Sequence, residues 1–428
     1  MAAVLSPSVL VEQSRSHVGQ SVVRASTEMD MADGMHPRIV VEPSTADDVV
    51  ATLAWASTER LTVMVAGGRS KQGWGAPASS IDLLVSTARL NRVVAHRHGD
   101  LTATVEAGAT LASVNSELAR HRQWLPWDPP WSDRATIGGI VSTNDSGPRR
   151  HGYGAPRDGI IGVSMVRADG ELAKSGGIVV KNVAGYDVSR LVTGSFGCLG
   201  VIVTATFKLS PIAITSRTVA VELDSLESAE SVVRSLSLSA LTPTAMELVT
   251  AAGQNRLLVR FESIEEASAQ QSQEACSLVG SSGQTEVLTG EEEANLWRQH
   301  GVHWSGKPDA TLLKLSCAPA ELFPLLQFLR TVSRENGLEY VAAGRASLGV
   351  VDISLEGSIA AQVRMIQLLR EQLTVGRGSV VVRNGSVTLR RKIDVWGEIG
   401  SGLRVMKAVK SRFDPDNRLS PGRGPGGL

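Results

Sequence analysis

The sequence of 428 residues predicts an α+β protein of two domains. Three observations lead there. Glycine is concentrated in one region, with 20 of the 42 glycines between positions 61 and 215 and only 6 between 216 and 330. Near Pro211 the hydrophobic pattern changes from short apolar strands and Gly-rich loops to longer amphipathic helices. Beyond Pro211 the elements follow a strand-helix-strand-strand-helix order, which suggests antiparallel sheets with helices on one face, as in ferredoxin-like α+β units.

In the first domain, Arg38 to Val41 reads as a strand. The following Pro43-Ser-Thr-Ala-Asp-Asp48 is a helix start, because Ser44 or Thr45 can accept from orphan N–H groups while Asp47 and Asp48 favour the positive end of the helix dipole. That helix runs to about Glu59, and Thr62 to Ala66 is the next buried strand, so the chain opens β-α-β. Strands are expected at 81–85, 101–106, 160–167 and 199–209, and helices at 110–122 and 138–144. Beyond Pro211 come strands at 217–223, 244–249 and 256–261 with helices at 225–239 and 264–279. A further series has strands near 311–316, 347–354 and 378–382 and helices near 319–336 and 358–373. The last helix, about 402–412, precedes a Pro- and Gly-rich end whose final Gly-Pro-Gly-Gly-Leu reads as a frayed tail.

Composition excludes several classes. Lys plus Arg and Asp plus Glu both number 43, so no net charge favours nucleic acid or an anionic membrane surface. No window reaches the ~20 apolar residues of a membrane helix, and Met1 to Gln20 lacks the basic region of a signal peptide, so a cytoplasmic protein is expected. Cys198, Cys276 and Cys317 are far apart, too few for a four-Cys cluster, and read as three buried thiols. No metal site is expected.

Two loops are suited to phosphate. Gly67-Gly-Arg-Ser-Lys71 directly follows a strand; its glycines let main-chain N–H groups approach an anion, Ser70 adds a hydroxyl, and Arg69 or Lys71 a charge. The alternative is a wide strand-to-strand turn, and the loop matches neither G-x-x-x-x-G-K-[ST] nor G-x-G-x-x-G. In the second, Thr136-Ile-Gly-Gly139 opens a short helix whose free N–H groups suit an anion. Two such loops point to a dinucleotide lying between them.

With the third segment, Lys181-Asn-Val-Ala-Gly-Tyr-Asp187 and Gly194-Ser-Phe-Gly-Cys-Leu-Gly-Val-Ile202, the order of motifs resembles the FAD-binding domain of the vanillyl-alcohol oxidase superfamily, the PCMH fold. Within it, these segments, Gly-Pro-Arg-Arg150 and the terminal Phe-Asp-Pro…Pro-Gly-Arg423 are similar to the FAD-binding subunits of bacterial glycolate oxidases, over about residues 37–211 and 388–423. The resemblance implies two α/β subdomains clasping FAD and a ferredoxin-like α+β cap. The implied division is an N-terminal extension 1–35, an FAD-binding domain 36–212, a cap 213–387 and a C-terminal segment 388–428 returning to the FAD domain. It implies that Gly67, Gly68, Arg69, Ser70 and Lys71 wrap the pyrophosphate, and that Thr136, Ile137, Gly138 and Gly139 cap it from the other side. Asn144 and Gly147 would lie near the flavin end, with Gly200 and Ile202 against the adenine half. Lys181, Tyr186 and Asp187 match the motif with a turn-stabilising or a functional role.

Three departures from the family pattern carry information. Members that attach FAD covalently often use His where this chain has Arg69, or Cys where it has Arg134 and Ala135, so non-covalent FAD is expected. The His-x-Gly-Asp-Gly-Asn-x-His metal motif of related 2-hydroxy-acid dehydrogenases is absent after Pro211, and His96-Arg-His98-Gly-Asp100 reads as a solvated hairpin. Ser420 stands where relatives have Asn.

The implied function is an FAD-linked 2-hydroxy-acid oxidoreductase, a subunit of a glycolate oxidase-like complex. It would turn glycolate into glyoxylate and pass electrons to partners, a metal-motif-bearing flavoprotein subunit and an iron–sulfur subunit, through which the chain would lie peripherally at the inner membrane. The alternatives are a non-catalytic FAD-bearing relay or assembly subunit and a free-standing FAD oxidase of another alcohol. No catalytic residue is assigned. His300 and His303 read as a helix-end surface pair, and Trp124, Trp127 and Trp131 as loop packing or a subunit contact.

Overall fold

The computed structural model describes residues 7–179, 185–301, 310–373 and 377–428. The chain forms two units: residues 1–146, 155–212 and 401–428, and residues 147–154 and 213–400.

The first unit holds two sheets. β1 (Val22–Ala25), β2 (Ile39–Glu42), β3 (Val63–Ala66) and β4 (Leu83–Ser86) form the first, in the order β1-β2-β4-β3. β2, β4 and β3 run parallel, and their Val, Ile and Leu runs are buried on both faces, as a parallel sheet requires. The helix Ala46–Thr58 makes the crossover from β2 to β3. Thr45 starts it: its hydroxyl accepts from the Asp48 N–H at 3.1 Å, and the Asp48 carboxylate accepts from the Thr45 N–H at 3.0 Å.

The second sheet comprises β5 (Val93–Arg97), β6 (Thr102–Glu106), β8 (Ile160–Val166), β9 (Leu172–Gly176) and β10 (Val201–Lys208), in the antiparallel order β5-β6-β10-β8-β9. β7 (Gln123–Trp124) and β11 (Ser210–Pro211) form a separate two-residue pair. The helices Leu111–Leu118 and Ile137–Thr143 pack into this sheet's core, and Trp127 stands edge-on to Phe207 at 5.0 Å. Trp127 is therefore loop packing in the core.

The second unit is one antiparallel sheet of eight strands. β12 (Thr215–Leu223), β13 (Ala245–Ala251), β14 (Gln254–Ser263) and β15 (Gln284–Thr289) supply one half; β16 (Thr311–Ser316), β17 (Glu339–Arg345), β18 (Val350–Glu356) and β19 (Ser379–Asn384) the other. The order β15-β12-β14-β13-β17-β18-β16-β19 is two β-α-β-β-α-β units, each 4-1-3-2, joined edge to edge through their second strands. The ferredoxin-like expectation thus describes half of the unit, repeated. Leu226–Leu238, Glu265–Val279, Pro319–Glu335 and Ile359–Gln372 pack as neighbouring helices.

Several expectations are corrected. Residues 7–35 are part of the first unit and not an extension to it, since β1 pairs with β2 and the helix Pro7–Arg15 buries Leu10. The return to the first unit comes at Ser401 and not at 388, because the Val382 N–H donates to the Val395 carbonyl at 2.8 Å and holds that stretch to β19. Residues 147–154 also belong with the second unit. The final residues fold back, with the Gly424 N–H donating to the Leu428 carbonyl at 2.7 Å. Of the three thiols only Cys198 is buried. His300 is no surface residue: it is 4% exposed and lies 3.2 Å from the Glu247 carboxylate. Lys181 and His303 lie outside the described residues. Among the described residues, no helix is long and apolar enough to cross a membrane.

Candidate functional site

β3 delivers the first glycine loop to the edge of its sheet, and the C-terminal segment runs along that same edge. Val63 N–H donates to the Arg418 carbonyl at 2.8 Å, and Ser420 N–H to the Val63 carbonyl at 2.8 Å. A trough opens there, lined by Gly67 to Gln72, Thr136, Gly138, Gly139, Ser142, Thr143, Phe196, Gly197, Gly200, Ile202, Ser420 and Arg423, with Met64, Val65, Thr87 and Ala107. Its cavity volume is about 90 Å³, and about 740 Å³ counted to the open mouth. It therefore suits a long ligand lying partly in the open more than a small one held inside.

The glycines serve the meeting of the loops. A Cβ on Gly67 would stand 2.1 Å from Thr136 Oγ1, and one on Gly68 would stand 1.7 Å from the Arg134 carbonyl oxygen. At Gly138 the obstacle is Ala107, at 2.8 Å, and at Gly200 it is Met165 at 2.1 Å. These four positions are close-approach sites of chain to chain. Gly139 and Gly197 differ: a Cβ there meets only Thr136 Oγ1 at 3.2 Å or Ser420 Oγ at 3.5 Å, leaving space on the trough side.

The two loops also differ in their donors. Among the described residues, the main-chain N–H groups of Gly67, Gly68, Arg69 and Ser70 face no acceptor, as an anion cradle requires. The expectation of free N–H groups at the second loop fails, because Ile137 donates to the Ala109 carbonyl at 2.9 Å, Gly138 to Ala107 at 2.7 Å, and Gly139 to the Thr136 hydroxyl at 3.4 Å. Ile137 is itself fully buried and does not line the trough.

Each cation at the trough is matched by a carboxylate. Arg69, in the left-handed region at φ 57°, lies 2.6 Å from Asp30 and also donates to the Met29 carbonyl. Lys71 lies 3.3 Å from Asp145 and over the Trp74 ring. Arg423 reaches Asp33 at 3.4 Å and donates to the Trp74 carbonyl at 2.8 Å. Hydrogen bonds from Arg24 and Arg69, against the cost of burial, hold Asp30 well below the usual carboxylate range. Pairs of this kind fix the loops and leave the local charge balanced.

Asn144 and Gly147 do not line the trough. Asn144 ends the Ile137–Thr143 helix at φ 49° and accepts from the Arg157 N–H at 3.2 Å, while the Gly147 carbonyl accepts from Arg345 at 3.3 Å in the second unit. Tyr186 is 93% exposed, and the Asp187 carboxylate caps the helix Val188–Val192. Sequence reasoning missed Ser142 and Thr143, although i+3 and i+4 from Gly139 put them on its face. Phe196, Gly197 and Arg423 carry the resemblance as motif residues and line the trough as well.

The second unit has its own concentration of charge, on the sheet face that bears Glu247, Arg345 and Asp352. Arg345 lies 3.4 Å from Glu247 and 2.9 Å from Asp352, and Arg383 lies 2.5 Å from Asp352. Lys314 is the cross-strand partner of Asp352, and burial, with Arg383 nearby, pushes its ammonium down to about 8. Three cations thus face two carboxylates. Nothing in the sequence pattern announced this group, because its members come from five strands.

Residues 37–189 match the family described as FAD binding domain. The chain is 27% identical over 413 residues to a D-lactate dehydrogenase of Archaeoglobus fulgidus, covering 90% of each chain. It is 36% identical over 157 residues to the glycolate oxidase subunit GlcE of Escherichia coli, 36% of this chain and 44% of that one. The glucooligosaccharide oxidase of Acremonium strictum shares the fold, with a TM-score of 0.72 at 14% identity over 98% of both chains. Main-chain donors at Gly67–Ser70 with no acceptor among the described residues, open space beside Gly139 and Gly197, and a trough open to solvent all fit FAD. Residues 37–189 are an FAD binding domain, the fold is one shared with FAD-linked oxidases, and the chain is an FAD-dependent oxidoreductase.

Proposed function

We propose that the chain oxidises a small 2-hydroxy acid, glycolate to glyoxylate in the first instance, as a subunit of a glycolate oxidase-like complex. The observation that carries this reading is the surplus-cation row of the second unit, Lys314, Arg345 and Arg383 against Glu247 and Asp352, in a chain that also carries the FAD trough. Such a row suits a substrate carboxylate. Similarity along 90% of the chain to a D-lactate dehydrogenase supports the substrate class.

Bound FAD supplies the two-electron acceptor for the hydride on the substrate's C2. The chain's residues do the rest. Main-chain N–H groups of Gly67, Gly68, Arg69 and Ser70 hold the pyrophosphate, and the pairs of Arg69, Lys71 and Arg423 keep that loop in place. Thr136, Gly138 and Gly139 form the opposite wall, which Ile137 supports from the core. Gly200 and Ile202 lie against the adenine half, while Asn144 and Gly147 fix the chain that leads from the flavin end. Attachment is non-covalent in this reading: among the described residues no His or Cys lines the trough, and Arg69 is held by Asp30. Electrons leave to a metal-motif-bearing flavoprotein subunit and an iron–sulfur subunit, which hold this cytoplasmic chain at the inner membrane.

The test is anaerobic mixing of the flavin-loaded chain, alone and with its partner subunits, with glycolate, D-lactate and D-2-hydroxyglutarate. Bleaching of the flavin by one of them in the chain alone supports the reading. A second reading, a non-catalytic FAD-bearing relay, is favoured by the similarity to GlcE and by the missing metal motif; bleaching only when the partners are present selects it.

A further inference from the structure

The helix Gly402–Phe413 carries four cations and no acid in its 12 residues, in a chain whose charges otherwise cancel. Its two sides differ. On the inner side Lys410 is buried and donates to the carbonyls of Cys198 and Leu419 at 2.9 and 3.0 Å, while Val409 and Phe413 pack on the core of the second sheet. Gly197 and Gly200, on either side of Cys198, and Ser420, next to Leu419, line the trough. The helix therefore backs the trough wall. On the outer side Arg404, Lys407 and Arg412 are exposed, and among the described residues none of the three makes an ion pair or a side-chain hydrogen bond. The two acids that follow the helix are already taken, Asp414 by Lys410 and Asp416 by Arg418. Helical spacing puts Arg404, Lys407, Ala408, Ser411 and Arg412 in one stripe about 12 Å long, with Val405, 61% exposed, at its edge.

A groove of about 230 Å³ lies at the C-terminal end of this stripe, where Arg412 and Phe413 line it with Val163, Met165, Ala173 and Val188. Met165 and Ala173 are directly opposed on β8 and β9, and Val163 is two positions from Met165, so all three share one face of the sheet. Val188 and Phe413 pack against that same face. Small-molecule sites start at about 300 Å³. The groove suits a single apolar side chain instead, of the kind that anchors a protein interface.

We propose that this helix face and the groove beside it are the docking surface for the electron-accepting iron–sulfur subunit, which meets it with acidic residues around one apolar side chain. The inference rests on the reading of the chain as part of a glycolate oxidase-like complex. Unneutralised cations, an apolar socket and a cofactor trough behind the same helix favour it. Complementary charge steers such encounters, and electron-transfer complexes need little contact area. A membrane surface is the poorer fit, because a helix lying on lipid presents large apolar residues to it. Here the exposed stripe offers only Val405 and Ala408, and Val409 and Phe413 are turned to the core.

Sedimentation velocity of the flavin-loaded chain with its two partner subunits tests it. The triple variant Arg404→Glu, Lys407→Glu, Arg412→Glu is expected to weaken assembly by about tenfold or more. Ala173→Phe, which fills the groove, weakens it by about fivefold. The triple variant should keep the melting temperature and flavin affinity of the parent, since its three side chains have no partner to lose. Raising salt from about 50 to about 200 mM weakens the parent complex and leaves that of the triple variant unchanged. A triple variant that assembles as tightly as the parent overturns the docking surface and leaves the complex standing, whereas a parent chain that does not assemble overturns both. Sedimentation of the parent with vesicles of phosphatidylcholine and about one third phosphatidylglycerol, lost in the triple variant, makes the stripe a membrane surface and also overturns the proposal.

Discussion

Replacing Gly68 by alanine places a methyl carbon 1.7 Å from the carbonyl oxygen of Arg134 and 2.8 Å from its carbon. Both neighbours are backbone, so one loop has to move away from the other. Overpacking of this kind costs about 1–3 kcal/mol, and the backbone obstacle argues for the upper end, about 3 kcal/mol. For a unit of roughly 200 residues, with about 2–4 °C per kcal/mol, the melting temperature falls by about 6–12 °C. Flavin is lost along with it, since the separated loops are the two walls of the trough. Gly139→Ala separates the two effects. Its Cβ meets only a hydroxyl at 3.2 Å, and alanine in a helix gains about 0.5–1 kcal/mol over glycine. Its melting temperature should hold or rise, while a methyl on the trough side weakens flavin binding by about tenfold. Differential scanning calorimetry of the flavin-free proteins and flavin titration read the two quantities independently. If flavin-free Gly68→Ala melts with the parent protein, the two loops do not interlock as described and the reasoning fails.

Other perturbations follow from the same geometry. Arg345→Leu leaves Glu247 and Asp352 buried without their shared cation, and chemical denaturation should show a loss of about 3–5 kcal/mol. Lys410→Met strands the buried Asp414, its partner at 2.7 Å, and releases the contacts of Lys410 with the Cys198 and Leu419 carbonyls, so a comparable loss should appear together with easier proteolysis of the C-terminal segment. Lys314 is lowered from 10.5 to about 8, so its charge is present below pH 8 and lost above it. If it receives a substrate carboxylate, kcat/KM falls above pH 8, and Lys314→Met removes that limb of the profile. The stability sign is opposite: burying the charged form costs most below pH 8, so stability rises from pH 8 towards 10.5, and urea midpoints measured across that range check it. Precipitating the denatured protein should leave yellow FAD in the supernatant; flavin retained in the pellet refutes non-covalent attachment.

Local chemistry made much of the fold legible. Thr45 and Asp48 mark a helix start because capping is a three-residue event, and the apolar runs of β2, β3 and β10 are strands wherever they sit. Short or polar edge strands were not legible. β1, β9 and β15 carry Arg24, Lys174 and Glu286, and such segments become strands only beside a neighbour with the right register. Of helix Gly290–His300 only the end, at His300, is legible, for a related reason: it is mostly polar, and it is held by Trp297 donating to Thr218 and by Glu293 accepting from Ser216 and Thr218.

For the site, the sequence by itself determined which segments are rich in glycine, because the absence of a Cβ is a property of the residue alone. Only the tertiary structure decided what that absence is for. At Gly67, Gly68, Gly138 and Gly200 the space is taken by the chain itself, and at Gly139 and Gly197 it is left open to the trough. It likewise decided that Arg69, Lys71 and Arg423 stand paired with Asp30, Asp145 and Asp33, which lie 39, 74 and 390 positions away in sequence. Charge pairing acts through space at a few ångströms, and no spacing along the chain encodes it.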